Sequence, residues 1–437
     1  MRDCLAVGDH DGAKAILEDM PPADAAAIIE ELDEGQVGLA FRLLDVRTEA
    51  EILGELEPKS VQTIAEDAPR ALQEAAGIME PDEVADVLDM IPDGQAEAIL
   101  EAFPDEHAEA AERLMGYPAD SAGGLMTTEF VVLDCGATCR EAIEITQKHR
   151  ETETVAHLFV ADEGRRLVGY LPLQKLVFAA PGERVGDLME SDTFAVGATT
   201  DQEELVRSAT KYNLDVVPVV DGQQRLIGVV TVDDILEAAE EEADEDMYRL
   251  AGTGERDPVH ASIYRSARLR LPWLLLSVLD GLFIALVMSR FQSRLHLGLL
   301  FFLPLIPLMG GQVAIQASTI MVRGIAVGSL RREMLAGFLI KQFWITLVLS
   351  LCCAAAAGLL GHLFTGEPVQ TMMAVGSGVF IAIMIAGTMG MTLPLAFNAV
   401  GFDPAVSAGP FITMLNDLIC IFIYLLLGMV LIQAPLT

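Results

Sequence analysis

Two groups of carboxylates have the types and settings to do chemistry. The first is Asp417, which follows Asn416 inside GPFITMLNDLICIFIYLLLG, an otherwise apolar run. A charged side chain at bilayer depth costs at least about 2.5–3.5 kcal/mol, so it is kept where it faces a cavity and commonly marks an ion path. Thr413 lies one turn earlier on the same helical face. A protonated, purely structural Asp417 is the alternative. The second group is the stretch 233–246, DDILEAAEEEADED, with nine carboxylates in fourteen residues and no Lys or Arg. Like charges at i,i+4 destabilise a helix, and a solvated helix normally mixes signs. Nine acids without a base therefore point to a cation supplied from outside. The plain alternative is a solvated surface face.

The acidic stretch reads as a helix, with Ile235, Leu236 and Ala239 on one apolar face. It is expected to run on through Met247, Tyr248 and Leu250 and to stop at Gly252. It is also the joint between two very different halves. Residues 1–262 hold 59 acids and 19 bases, a net of −40, whereas residues 263–437 hold 5 acids and 9 bases, a net of +4. The whole chain is 52% hydrophobic and 21% charged, a combination that requires the apolar residues to be segregated. A soluble half at −40 repels nucleic acid and anionic lipid at long range and concentrates cations.

Residues 1–118 read as short amphipathic helices with abrupt breaks, a helical solenoid of low repeat fidelity. Pro22, Pro58, Pro81, Pro92 and Pro104 stand where a helix begins and cannot continue from the previous one. Asp89, Asp93, Glu97 and Glu101 could offer carboxylates to a neighbour, although a solvated face accounts for them more simply. Residues 119–240 contain an internal repeat. Leu125-Met126 recurs as Leu188-Met189, Gly136-Ala137-Thr138 as Gly197-Ala198-Thr199, and RRLVGYLPLQKL as QRLIGVVTVDDI. Each copy reads strand, helix, strand, strand, helix.

Five apolar segments follow, near 271–289, 297–322, 337–360, 372–397 and 410–431, each meeting the requirement of about 20 residues for a spanning helix. Arg265, Arg268 and Arg270, with Arg323, Arg331, Arg332 and Lys341, place their connections on the cytoplasmic side. The connection holding Glu367 has no Lys or Arg and belongs outside. The N-terminus is therefore expected in the cytoplasm and the C-terminus outside; Arg290 and Arg294 run against this rule. The second segment, FFLPLIPLMGGQVAIQAST, sets Pro304, Pro307, Gly310 and Gly311 in eight residues. Backbone freed by Pro and Gly in lipid must be satisfied by protein or a water-filled cavity. Gln312, Gln316, Ser318 and Thr319 favour a polar lining over a packing kink. Asp280 in the first segment serves a structural or a functional role equally well.

Some chemistries find no residues. The six cysteines form no CxxC and no Cys/His metal spacing, so reduced thiols and no zinc are expected. MRDCLAVGDHDGAKAILEDM has no apolar signal core, so insertion relies on the later segments. His10, His107, His149, His157, His260, His296 and His362 make no HExxH, and no GxxxxGK[ST] is present. An intramembrane metalloprotease and an ATP-driven pump are both unsupported, and no enzyme activity is expected.

The repeat resembles a tandem pair of cystathionine-β-synthase (CBS) domains, which are ligand sensors. That resemblance gives Gly228, Thr231 and Asp234 of the second copy the spacing used for a nucleotide ribose and phosphate, which makes ATP a candidate ligand there. The first copy has Gly169, Pro172 and Lys175 instead. Taken whole, the chain resembles the MgtE family of magnesium channels, on RLRLPWLLL, PLIPLMGGQVAIQAST followed by VRGIAVG, and DPAVSAGPFITMLND. The fold class implied is a multidomain membrane protein: an α-helical solenoid, an α/β CBS pair and an all-α transmembrane domain of five helices. The expected partition is 1–118 helical domain, 119–183 and 184–232 CBS domains, 233–251 acidic plug helix, 252–270 linker and juxtamembrane helix, and 271–437 pore domain.

The resemblance further implies Mg²⁺ uptake across the cell inner membrane by a homodimer in the lipid bilayer. Asp417 then faces the pore and holds hydrated Mg²⁺. Asp234, Glu237, Glu240, Glu242, Glu245 and Asp246 fall on magnesium-sensing positions, joined by Asp201 and Glu203 of the second CBS copy. The chemistry agrees, because Mg²⁺ dehydrates reluctantly and takes one or two carboxylates while keeping several waters. The sequence departs from the family pattern at Gln312 and Ile315, where Asn is usual, and at Asn213, where an acid is often found. The competing reading is a membrane-anchored, nucleotide-sensing CBS protein without transport.

Overall fold

A computed structural model describes the chain except for residues 101–104, 150–155, 254–262, 292–296, 329, 331 and 434–437. Glu101, Pro104, Arg294 and Arg331 of the sequence reading lie outside the described residues. The described chain forms two compact units, Met1–Ala239 and Glu240–Thr437.

The first unit opens with short helices between Arg2 and Leu114. Proline at the first helical position starts Pro22–Glu30, Pro58–Asp67 and Pro81–Met90, and also Pro69–Ala76. The Asp45 carboxylate caps Val46–Leu53 by accepting the N–H groups of Arg47 and Thr48, each at 3.1 Å. Packing follows a skip pattern. Glu34–Phe41 lies on Pro58–Asp67, Val46–Leu53 on Pro69–Ala76, and Pro58–Asp67 on Pro81–Met90. That is the arrangement of a solenoid, whose continuous core includes Leu17, Ile29, Phe41, Ile52, Ile64, Leu72 and Leu88.

Glu49 is the exception in that region: an acid with only 4% of its surface exposed. Burial, reinforced by Glu74 and Asp45, pushes its carboxyl up to about 7. An acid raised on folding binds more protons in the folded state, so stability falls as pH rises from the ordinary carboxylate value through 7. Thermal unfolding of the full-length protein in detergent, followed from pH 5 to 8, should show this loss, at most about 3 kcal/mol. Glu49→Gln should remove that component of the slope; an unchanged slope would show that Glu49 ionises freely.

The two repeats fold alike. In the first, β1 (Val132–Asp134) pairs parallel with β2 (His157–Ala161), which pairs antiparallel with β3 (Leu167–Pro172). In the second, β4 (Val196–Gly197), β5 (Val217–Val220) and β6 (Leu226–Val230) repeat the order and the pairing. Even the register shift recurs, at Val160/Ala161 and at Val219/Val220. The copies are stitched together where the Leu167 N–H donates to the Gln224 carbonyl and the Leu226 N–H to the Arg165 carbonyl. The last helix of the second repeat is the acidic helix, Val232–Leu250.

Among the described residues, the second unit holds five helices long and apolar enough to cross a membrane: Ile263–Phe291, Leu297–Ala326, Met334–Thr365, Val369–Ala399 and Pro410–Leu431. The first is one unbroken helix from Ile263, with Arg265, Arg268 and Arg270 in its opening turns and Pro272 inside it. The second is broken once, at Phe302–Pro304, between Leu297–Phe301 and Leu305–Ala326. Pro304 stands at this break, whereas Pro307, Gly310 and Gly311 all lie inside the regular second piece. The fourth span is the hub, packed on the second, third and fifth. Val375, Val379, Ala382, Ile383 and Ala386 form its buried face.

Candidate functional site

Asp417 stands in the fifth span, in a helix running from Pro410 to Gln433. It is half-buried, and the neighbouring Asn416 is fully buried. The Asn416 amide donates to Asp417 Oδ1 at 3.3 Å, while its own Oδ1 accepts from Cys420 Sγ at 3.1 Å. Asn416 is thus held at both ends and fixes the carboxylate beside it. Gly310 of the second span makes room for it: a Cβ there would come within 2.6 Å of Asn416 Nδ2. Gly310, which reads as a helix breaker, therefore serves close packing, whereas a Cβ at Gly311 would lie 3.7 Å from Thr413 Cγ2, an ordinary contact. Asp280 of the first span interacts electrostatically with Asp417. Asn416 and Asp280, both of which stand out in the sequence within apolar runs, thereby join the environment of Asp417.

Polar residues of the second span divide by face. Gln312, Gln316 and Thr319, spaced i, i+4, i+7, share an exposed face. Ser318 is buried instead, its hydroxyl donating to the Ile315 carbonyl at 3.1 Å, so its expected place in a polar lining is corrected. Ile315 lies on the exposed side.

The acidic helix ends as its sequence requires. Helical bonding stops at Leu250, and Gly252 takes φ +74°. Its apolar face differs from the expected one: Ile235 and Ala238 are buried, while Leu236 is 65% exposed. The i,i+3 pair, not Leu236, forms the buried side.

Within the first unit, the opening turn of this helix meets acids of Pro81–Met90. Asp82, Asp86 and Asp89 act electrostatically together with Asp234 and Glu237. Loss of surrounding water to its neighbours, followed by repulsion from Asp82, Asp234, Glu237 and Asp89, pushes Asp86, whose own surface stays exposed, up to about 7. Burial likewise pushes Asp234 up to about 7, against the Thr231 hydroxyl, which donates to Asp234 Oδ2 at 2.6 Å. Asp82 and Asp86 are functional candidates that the sequence reading missed. Their i,i+4 spacing in line with Asp89 was the available signal. The contact itself joins residues about 150 positions apart, which no local pattern carries.

The other sensing candidates lie on two helices. Asp201 caps the helix Gln202–Tyr212, accepting the Glu203 N–H at 2.9 Å, with Glu203 in its first turn. Asn213 closes that helix at φ 54°. Left-handed backbone is a position that Asn takes readily, which accounts for Asn213 locally. Glu240, Glu242, Glu245 and Asp246 lie further along the acidic helix, and Glu245 pairs with Arg249. Among the described residues, no three His, Cys, Asp or Glu side chains converge as a ready-made metal cage. Hydrated Mg²⁺ does not require one.

At the nucleotide candidates, Thr231 and Asp234 bond to each other, and Gly228 abuts the Met126 side chain so closely that a Cβ would not fit. A polar cleft of about 460 Å³ opens at the opposite end of the β4–β6 sheet, lined by Tyr117, Gly197, Thr199, Asp221 and Gln224.

Comparison with known proteins accounts for all of these parts. A family model described as a divalent cation transporter, MgtE, matches residues 303–427. The MgtE intracellular N domain matches residues 20–120, and CBS domains match 122–182 and 185–241. The magnesium transporter MgtE of Thermus thermophilus is 30% identical over 444 residues, 99% of this chain and 98% of that protein. The chain belongs to the MgtE family. A second MgtE relative, the magnesium transporter of Bacillus subtilis (strain 168), is 28% identical over 94% of this chain and 92% of its own length. Among solved structures, the cytosolic domain of the Mg²⁺ channel MgtE in complex with ATP superposes with a TM-score of 0.51 at 32% identity. The match covers 54% of this chain and 97% of that one. The soluble part of a magnesium transporter shares the fold, with a TM-score of 0.50 at 24% identity, covering 55% and 96%.

Proposed function

We propose that this chain transports Mg²⁺ across the cytoplasmic membrane, with Asp417 as the acid that holds the hydrated ion in the path. The observation that carries the reading is Asp417 itself: a carboxylate in the fifth span, kept in place by a fully buried Asn416. Two family relatives that match nearly the whole chain are magnesium transporters by name. The working form is a homodimer. The exposed polar stripe of Gln312, Gln316 and Thr319 on a spanning helix needs a cover more polar than lipid, and a second copy supplies one together with a second Asp417. The N-terminus and the regulatory domains are cytoplasmic and the C-terminus is outside, in keeping with the arginines at the start of the first span.

Gating follows from charge. Domain by domain, the helical solenoid, the CBS pair and the acidic helix form the sensor. Asp234, Glu237, Glu240, Glu242, Glu245 and Asp246 are its carboxylates, with Asp201 and Glu203 of the second CBS copy and with Asp82 and Asp86 added. Cytosolic Mg²⁺ screens their mutual repulsion and lets the helix close the path. Gly228, Thr231 and Asp234 are the positions proposed for a nucleotide at the CBS pair, and ATP is the candidate, supported by the likeness to an ATP-bound relative. Transport, not catalysis, is the activity proposed. Purified protein in liposomes should carry Mg²⁺ well above protein-free liposomes; no flux under any magnesium condition would favour a nucleotide-sensing scaffold that does not transport.

A further inference from the structure

The acidic helix carries a single base, Arg249, in its last turn. Its guanidinium pairs with Glu245 one turn earlier and with Asp403, both partners being half-buried or better. Asp403 also caps the short helix Pro404–Ala408 by accepting the Ala405 N–H at 2.7 Å. One carboxylate thus ties the end of the acidic helix to the start of the segment that leads into the fifth span.

Around this ion pair the backbones interlock. Leu250 packs on Val322 of the second span and Ala405 of the short helix. Gly409 admits the Leu250 carbonyl so closely that a Cβ there would lie 2.6 Å from it. Gly252, at φ +74°, lies equally tight against Pro410. Pro410 begins the helix that presents Asp417 two turns on, about 10 Å along the axis.

We infer that Arg249 is a built-in cation that clamps the acidic helix to the Asp403–Pro410 connector, so that part of the closed state is held without magnesium. The inference rests on the magnesium-gated reading above and adds its regulation. Nine acids repel when magnesium leaves; the one base opposes their withdrawal. It sets how far magnesium must fall before the helix lifts, and the connector carries that displacement to the Asp417 helix.

The test is Mg²⁺ flux by the full-length protein in liposomes, as magnesium on the soluble-domain side is raised. Arg249→Gln should move half-inhibition to roughly tenfold higher magnesium, which corresponds to about 1.4 kcal/mol. Arg249→Lys should stay near wild type, because the charge is kept. Asp403→Asn retains a carbonyl oxygen to cap Ala405 and should match Arg249→Gln. The double variant should shift no further than either single one, as members of one pair do. The comparison variant neutralises Asp234, Glu237, Glu240 and Glu242 together. If it loses inhibition while Arg249→Gln keeps the wild-type curve, the clamp is refuted and the gating stands. A double variant whose shift is the sum of the two single shifts also refutes the clamp. If the neutralised helix itself keeps the wild-type curve, the gating reading falls and the clamp with it.

Discussion

Asp417→Asn should lower Mg²⁺ flux by at least about tenfold, with the protein still folded. The substitution is close to isosteric, and an Asn side-chain oxygen can still accept the bond that Asn416 donates to Asp417 Oδ1. What it removes is charge. The attraction of a divalent ion to one carboxylate at about 5 Å is roughly 2–7 kcal/mol for effective dielectrics between water and a protein surface. Each 1.4 kcal/mol is about a factor of ten in occupancy, so even the weak limit is readily measured. In a dimer the loss occurs twice around one path. Flux of the variant at the wild-type rate would show that Asp417 is the structural acid of the alternative reading.

The second large effect concerns the acidic helix. Neutralising Asp234, Glu237, Glu240 and Glu242 to Asn or Gln should flatten the response of flux to magnesium on the soluble-domain side. Each close pair of like charges costs about 1–4 kcal/mol at 4 Å in the same range of dielectrics. A two-state gate moves from 1:99 to 99:1 for about 5.5 kcal/mol, which a few such pairs supply. The acids of Pro81–Met90 strengthen the case, because Asp86 and Asp234 are both pushed up to about 7 within one crowded group of carboxylates. Groups so costly to ionise together gain the most from a cation. A variant that keeps the wild-type inhibition curve would make the acidic helix a solvated face.

Much of this was legible in residue types and spacing. The nine acids, the internal repeat and the five apolar runs each carry a local physical signature, and the helix end at Gly252 follows from backbone preference alone. The rest depends on which surfaces meet. Leu236 and Ile235 are equally apolar, and only packing decides that Ile235 and Ala238 are buried. Gly310 looks like a breaker until Asn416 is seen against it. Ser318 turns inward because a hydroxyl can bond its own helix carbonyl, an option that Gln312 and Gln316 do not need in a polar lining. Asp82, Asp86 and Arg249 acquire meaning only through partners distant in sequence.

On the proposed reading, magnesium passes along Asp417 and, from the soluble-domain side, shuts its own path. The most direct measurement is flux in liposomes with magnesium varied separately on the two sides. Raising it on the soluble-domain side should suppress flux across the millimolar range, and raising it on the opposite side should increase flux toward saturation. Suppression from the opposite side alone, or the same response from both sides, would contradict the account.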